Sequence, residues 1–182
     1  MNKQIDIKTL TGLSVLTAIV IILQGFVRIK FGVFSISTVL VPIVIGGALY
    51  GMWAGAWLGL VFGVTVLLSG DAAFFFALDT PMAVPGTIII VICKGIGCGV
   101  ASAFVYGLLK KKNLTLASVV SGLAAPIINT GLFIVGCRTF LYSSVIYIIT
   151  TFIGINFIIE IIVNIVLNPV IMRVIHFVKT KH

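Results

Sequence analysis

The sequence predicts an all-α membrane protein, a single domain over residues 1–182 built as a six-transmembrane-helix bundle with both termini cytoplasmic. Three observations carry this. First, hydrophobic residues make up 60% of the chain and charged residues only 9%. A soluble domain carries about 25% charged residues, so lipid must be the solvent for most of the outer surface. Second, the length fits about six spans of about 20 residues joined by short connections. Third, the basic residues sort by side. The N-terminal tail, the Lys110–Lys112 turn and the C-terminal segment hold eight Lys or Arg, whereas the alternate connections hold three, Arg28, Lys30 and Arg138. The richer set marks the cytoplasmic face.

Taken in order, the first span runs from about Leu10 to Val27. No small-x-small cleavage site follows Leu23, so it reads as a retained helix rather than a signal peptide. A polar connection, Arg28-Ile29-Lys30-Phe31-Gly32, leads to a second span over about Ser37–Tyr50. Gly51 opens a very tight turn into the third, which ends near Leu68. The longest loop, Ser69–Pro85, follows on the outer side. The fourth span covers about Gly86–Leu109 and stops at Lys110-Lys111-Lys112. The fifth covers about Leu116–Val135, and Gly136–Ser144 is a loop holding Arg138. The sixth runs from about Val145 to Val178, with Pro169 positioned to kink its last part.

Composition also narrows function. The net charge of +8 is spread over span ends rather than gathered on one face, which argues against nucleic acid. Cys93, Cys98 and Cys137 have no metal-ligand spacing and read as buried thiols. His176 and His182 complete no zinc site with them. There is no Walker phosphate-binding motif and no nucleophile–base–orienter set, so neither ATP hydrolysis nor another enzymatic activity is expected of this chain, and no cofactor.

Small residues recur at helical spacing. Gly51, Gly55, Gly59 and Gly63 line one face of the third span, and Gly95, Gly99, Ala103 and Gly107 line one face of the fourth. Such strips let backbones approach closely. They serve either packing within the bundle or docking of another membrane protein. The first span carries Ser14-x-x-x-Ala18, with Gly12 nearby.

Polar side chains inside spans are costly, at about 2.5–3.5 kcal/mol per charge on insertion scales. Lys94 lies inside the fourth span and Glu160 near the middle of the sixth. Asn156, Glu160, Asn164 and Asn168 form a polar stripe at four-residue spacing, and Asn129 sits in the outer half of the fifth span. Two readings are open: a Lys94–Glu160 pair that orients the bundle with asparagines cross-linking helices, or the wall of a polar cavity open to the outside. The outer loop is aromatic, Asp71-Ala72-Ala73-Phe74-Phe75-Phe76. It is either an interfacial belt or a lid over a ligand. The candidate substrate-binding residues are therefore Lys94, Asn129, Asn156, Glu160, Asn164, Asp71 and Phe75, with Arg138 on the outer rim.

Several of these motifs in sequence resemble the substrate-binding S components of energy-coupling factor (ECF) vitamin transporters. They are Ser14-x-x-x-Ala18, Leu40-Val41-Pro42-Ile43-Val44-Ile45-Gly46, the glycine ladder, Lys94-Gly95, Asn129-Thr130-Gly131-Leu132-Phe133, and Asn156-Phe157-Ile158-Ile159-Glu160 with Asn164. The likeness covers nearly the whole chain and comes closest to the pantothenate-type branch. It implies capture of a water-soluble vitamin from outside, in the plasma membrane of a bacterium. It also implies association with a membrane-embedded coupling subunit and two cytoplasmic ATPases, which would supply the hydrolysis. In that family a pair of alanines four apart on the first helix contacts the coupling subunit. Here Ser14 takes one of the two positions, so Ser14, Ala18 and the nearby Gly12 are the expected docking residues. Cobalamin, riboflavin and folate are alternative ligands, and an autonomous small membrane carrier or channel is the alternative class.

Overall fold

A computed structural model describes residues 7–26, 29–31, 34–36, 38–141 and 146–180. Side chains are described for all of these except 29–31, 34–36, 146–156, 174–175 and 177–180. In chain order the elements are α1 (Ile7–Gly25), β1 (Ile29–Phe31), β2 (Phe34–Ile36), α2 (Leu40–Tyr50), α3 (Met52–Leu68), α4 (Ala73–Phe76), α5 (Ala83–Leu109), α6 (Leu114–Phe140) and α7 (Ile146–Thr180).

Local chemistry explains several boundaries. Gly51 ends α2 and starts α3 in one residue, with φ of 93° and its N–H donated to the Gly47 carbonyl. A side chain at that φ would be strained, so glycine permits the sharp turn. Asn113 caps α6 from an extended backbone, and its side-chain oxygen accepts the Leu116 N–H at 3.0 Å. Helices α6 and α7 run through Pro126 and Pro169.

Three expectations are corrected. The connection after the first helix forms an antiparallel β-hairpin, Ile29 facing Ile36 and Phe31 facing Phe34. The hairpin lies within the expected connection, and the second helix starts later than expected, at Leu40 after Thr38 and Val39, and has 11 residues. At 1.5 Å per residue it is about 16 Å long, short of the roughly 30 Å hydrocarbon core. The outer loop is not irregular throughout: α4 forms within it. The fifth expected span does not end before Gly136. Helix α6 continues to Phe140 and carries Arg138 in its last turn, where a cation favours the helix dipole. Among the described residues, α1, α5 and α6 are long and apolar enough to cross a membrane, and α2 and α3 are apolar but shorter.

Helix α5 is the centre of the bundle, held between α3 and α6, with α7 against α6 and α1 against α3 and α2. The α3–α5 contact is glycine on glycine. A Cβ on Gly55 would overlap the Gly99 carbonyl, and one on Gly59 would overlap that of Gly95; the reverse substitutions collide likewise. Both ladders are therefore spent on each other, which decides for packing within the bundle along these rungs. Helix α1 is pinned to α3 by the Trp57 indole N–H, which donates to the Thr17 hydroxyl at 3.1 Å.

The principal core gathers Val20, Leu40, Ile43, Leu58, Phe62 and Val91. Large apolar side chains also cover the outside: Trp53 is 90% and Leu68 83% exposed. That is the inverse of a water-soluble surface and suits lipid.

Candidate functional site

Helices α3, α5 and α6 bring three side chains together around one ammonium. Lys94 of α5 sits with its Nζ 4.8 Å from the centre of the Phe133 ring (α6) and 5.6 Å from that of Phe62 (α3). Both distances are within cation–π range. Phe133 in turn meets Phe75 of α4 edge-to-face at 5.3 Å, and Phe75 meets Phe74 the same way. Phe75 is buried, in one apolar cluster with Ile90, Phe133, Cys137 and Leu141. The short helix of the outer loop thus closes over the aromatic face that holds Lys94.

Hydrogen bonds fix the loop to the bundle. Gln24, near the end of α1 and 2% exposed, donates from Nε2 to the Asp71 carboxylate at 2.7 Å. The Ser69 hydroxyl reaches the same oxygen at 3.5 Å. Gln24 Oε1 is buried and without a hydrogen-bond partner among the described residues. A hydrogen bond to a charged carboxylate contributes about 1.5–3 kcal/mol. Gln24→Leu is therefore expected to speed amide hydrogen exchange across residues 70–78 while exchange in the middle of α5 stays unchanged. Equal exchange in the loop would mean that the contact does not hold it.

The sequence-derived residues separate into groups. Lys94 and Phe75 converge on Phe133, Asp71 is held by Gln24 in the same outer loop as Phe75, and Glu160 is buried on α7. Asn129 lies one turn from Phe133 on α6, is 5% exposed, and its Oδ1 has no hydrogen-bond partner among the described residues. Asn164 goes elsewhere. Its Nδ2 donates to the Glu160 carbonyl at 2.8 Å, and its Oδ1 accepts from Asn168 at 2.9 Å. Both asparagines lie against Gly122 of α6, two turns from Asn129, where even a methyl group would crowd them. This stitches α7 to α6. Arg138 is exposed and is not drawn into the cluster. Arg28 and the side chains of Lys30 and Asn156 lie outside the described residues. On α1, Ser14 and Ala18 are exposed, and the Ser14 hydroxyl is internally bonded to the Leu10 carbonyl at 2.9 Å. Gly12 instead faces inward, where a Cβ would collide with the Tyr50 hydroxyl, so packing onto α2 accounts for that glycine.

Four cavities of about 570, 420, 620 and 180 Å³ are lined by residues other than Lys94, Asn129 and Glu160. Two participants escaped sequence reasoning. Phe62 precedes a ladder glycine and reads as ordinary core, and Gln24 meets Asp71 across 47 residues of chain. For Phe133 the signal was available: it stands four residues after Asn129, on the same helical face.

Comparison with known proteins identifies the frame around this cluster. The profile of the family described as "ECF transporter, substrate-specific component" matches residues 8–172. The chain belongs to this family. A solved structure of the S component of a bacterial ECF transporter shares the fold, with a TM-score of 0.67 and 20% identity over 94% of this chain and 98% of that one. No curated protein matches. The protein is thus a transporter's substrate-specific S component, with the helical bundle of a multi-pass membrane protein.

Proposed function

We propose that this S component captures a small, water-soluble anionic vitamin from outside the cell, with pantothenate the leading candidate, and that Lys94 receives its negative group. The observation that carries the reading is the Lys94 ammonium held inside the bundle by two ring faces. An ammonium has three N–H donors, and among the described residues none of them makes a hydrogen bond. A carboxylate entering beside Phe62 and Phe133 would take those donors in a desolvated setting, where charge-assisted bonds are strong. Asn129, with an unmet acceptor at the same end of α6, suits a ligand hydroxyl or amide N–H. Glu160, buried on α7, supplies a carboxylate inside the bundle, and Asn156 is a further candidate for the wall. The loop carrying Asp71 and Phe75 is the lid, latched by Gln24. Asn164 acts through packing of α7 rather than by touching the ligand.

In this reading six spans cross a bacterial plasma membrane with both termini in the cytoplasm. The S component hands its cargo to a membrane-embedded coupling subunit driven by two ATPases. Ser14 and Ala18 form the docking face, an assignment supported by their exposure one turn apart on α1. Ser14→Leu or Ala18→Trp is expected to leave ligand affinity within about twofold and to reduce uptake by the reconstituted complex at least tenfold, since a bulky side chain prevents close helix approach. Normal uptake by both variants would remove this face from docking. For the ligand itself, isothermal titration of the purified protein with pantothenate and other vitamins, without ATP, tests the assignment. Submicromolar binding of one anionic vitamin supports it, and tight binding of a neutral or cationic ligand only would refute it.

A further inference from the structure

The glycine ladder stops one rung short. Gly63 meets Val91, Gly59 meets Gly95 and Gly55 meets Gly99, each with backbone where a Cβ would go. The next glycine on each helix, Gly51 and Gly107, meets nothing within 4 Å. Both line an open cavity of about 420 Å³ between the α2–α3 turn and the last turns of α5. Backbone conformation accounts for Gly51, at φ 93°. It does not account for Gly107, a helical glycine of the kind that costs roughly 0.5–1 kcal/mol relative to alanine. A second cavity of about 180 Å³ shares Tyr106 and Lys110 with the first and reaches His176.

Tyr106 supplies an independent sign of a ligand. It is 6% exposed, lines both cavities, and its hydroxyl makes no hydrogen bond among the described residues. A buried ring whose hydroxyl is left unbonded at a cavity wall offers a donor to an occupant of that cavity. The charge around it has one sign. Lys110 and His176 border the cavities, Lys111 and Lys112 follow in the same turn, and Arg173 reaches Thr115 at the start of α6. The described acidic residues, Asp71, Asp79 and Glu160, belong to the outer loop and the middle of α7.

We infer that the basic end of the bundle carries a site for one anionic phospholipid, its phosphate bonded by the Tyr106 hydroxyl and the Lys110 ammonium and one acyl chain lying over Gly107 beside Phe104 and Leu108. Phe104 and Leu108 are 52% and 61% exposed, an apolar bank suited to a chain that enters from the bilayer. A docked protein helix fits less well: one turn, about 10 Å wide and 5.4 Å tall, already occupies roughly 420 Å³. Basic pockets between spanning helices at the headgroup level are suited to anionic lipids. The inference is independent of the Lys94 site and of the ligand bound there.

Native mass spectrometry of the detergent-solubilised protein tests it, titrating phosphatidylglycerol against phosphatidylcholine with the same chains, with inorganic phosphate as a competitor. Phosphatidylglycerol is expected to bind one to one and about tenfold more tightly than phosphatidylcholine. Tyr106→Phe, which keeps the ring, should weaken phosphatidylglycerol about tenfold, the scale of one bond to a charged group, and Gly107→Leu, which fills the groove that holds the acyl chain, should weaken both lipids. Open space at the Gly107 Cβ favours folding of the leucine variant; if it does not fold, Tyr106→Phe decides. Equal affinity for the two lipids overturns the inference, as does undiminished phosphatidylglycerol binding by the folded variants. Displacement by equimolar phosphate would assign the site to a free anion and overturn it. So would a Gly107→Leu protein that binds lipid normally but no longer joins its coupling subunit.

Discussion

Lys94→Met is expected to weaken ligand binding at least about a hundredfold while leaving the protein folded, because removing one partner of a buried charge pair costs roughly 2–5 kcal/mol of binding. Methionine keeps the length and the apolar stem, so contact with Phe62 and Phe133 persists as sulfur–aromatic packing. Only the charge and its donors go. The variant separates the two roles open to an intramembrane lysine. If Lys94 mainly orients the bundle through Glu160, its loss leaves a carboxylate uncompensated and the ligand-free protein melts markedly earlier. If it mainly holds ligand, the ligand-free protein is as stable as before or more so, and the thermal shift on adding ligand disappears. Lys94→Met combined with Glu160→Gln checks this. Restored stability without restored affinity is the expected result, measured by calorimetric titration and melting of the same samples. Unchanged affinity in Lys94→Met would exclude Lys94 from the site.

Gly59→Leu is expected to have the largest effect on folding, at the upper end of the roughly 1–3 kcal/mol typical of overpacking or beyond it. The atoms in its way are the Gly95 carbonyl and the Ile96 Cα, which are backbone and cannot rotate aside. Relief requires α3 and α5 to separate, and separation would also pull Phe62 away from Lys94. Gly107→Ala is the matched control, since its Cβ enters open space. The expected outcome is loss of monodisperse protein in detergent for Gly59→Leu and wild-type behaviour for Gly107→Ala, read by size-exclusion profile and melting. A well-folded Gly59→Leu protein would mean that the two helices are not in contact at this rung.

Much of this architecture was legible in the residues because spanning helices obey simple rules. Apolar length and the glycine period marked where α3, α5 and α6 run, and the four-residue repeat named the faces that α3 and α5 turn to each other. What periodicity cannot supply is which neighbour a face meets. Asn164 shares its stripe with Glu160, yet it lies against Gly122 of α6 and bonds Asn168 and the Glu160 carbonyl. Likewise Gly12 packs against Tyr50 of α2, a neighbour that its spacing from Ser14 does not name. The β-hairpin escaped because its strands are three residues each, too short for a period-two signal. Arg138 was assigned to a loop, whereas α6 continues to Phe140 because Cys137 and Leu141 still pack against Phe75 and Ile90 while Arg138 points outward on the exposed side. Long-range contacts such as Gln24 with Asp71 leave no local trace in the sequence at all.

The central claim is that one lysine inside the bundle recognises a small anion. Mass spectrometry of the small molecules carried through purification, run in parallel on wild-type and Lys94→Met protein, tests it most directly. The account predicts a single anionic compound at near one-to-one stoichiometry with wild type and its absence from the variant. A neutral or cationic compound held equally by both proteins would contradict it.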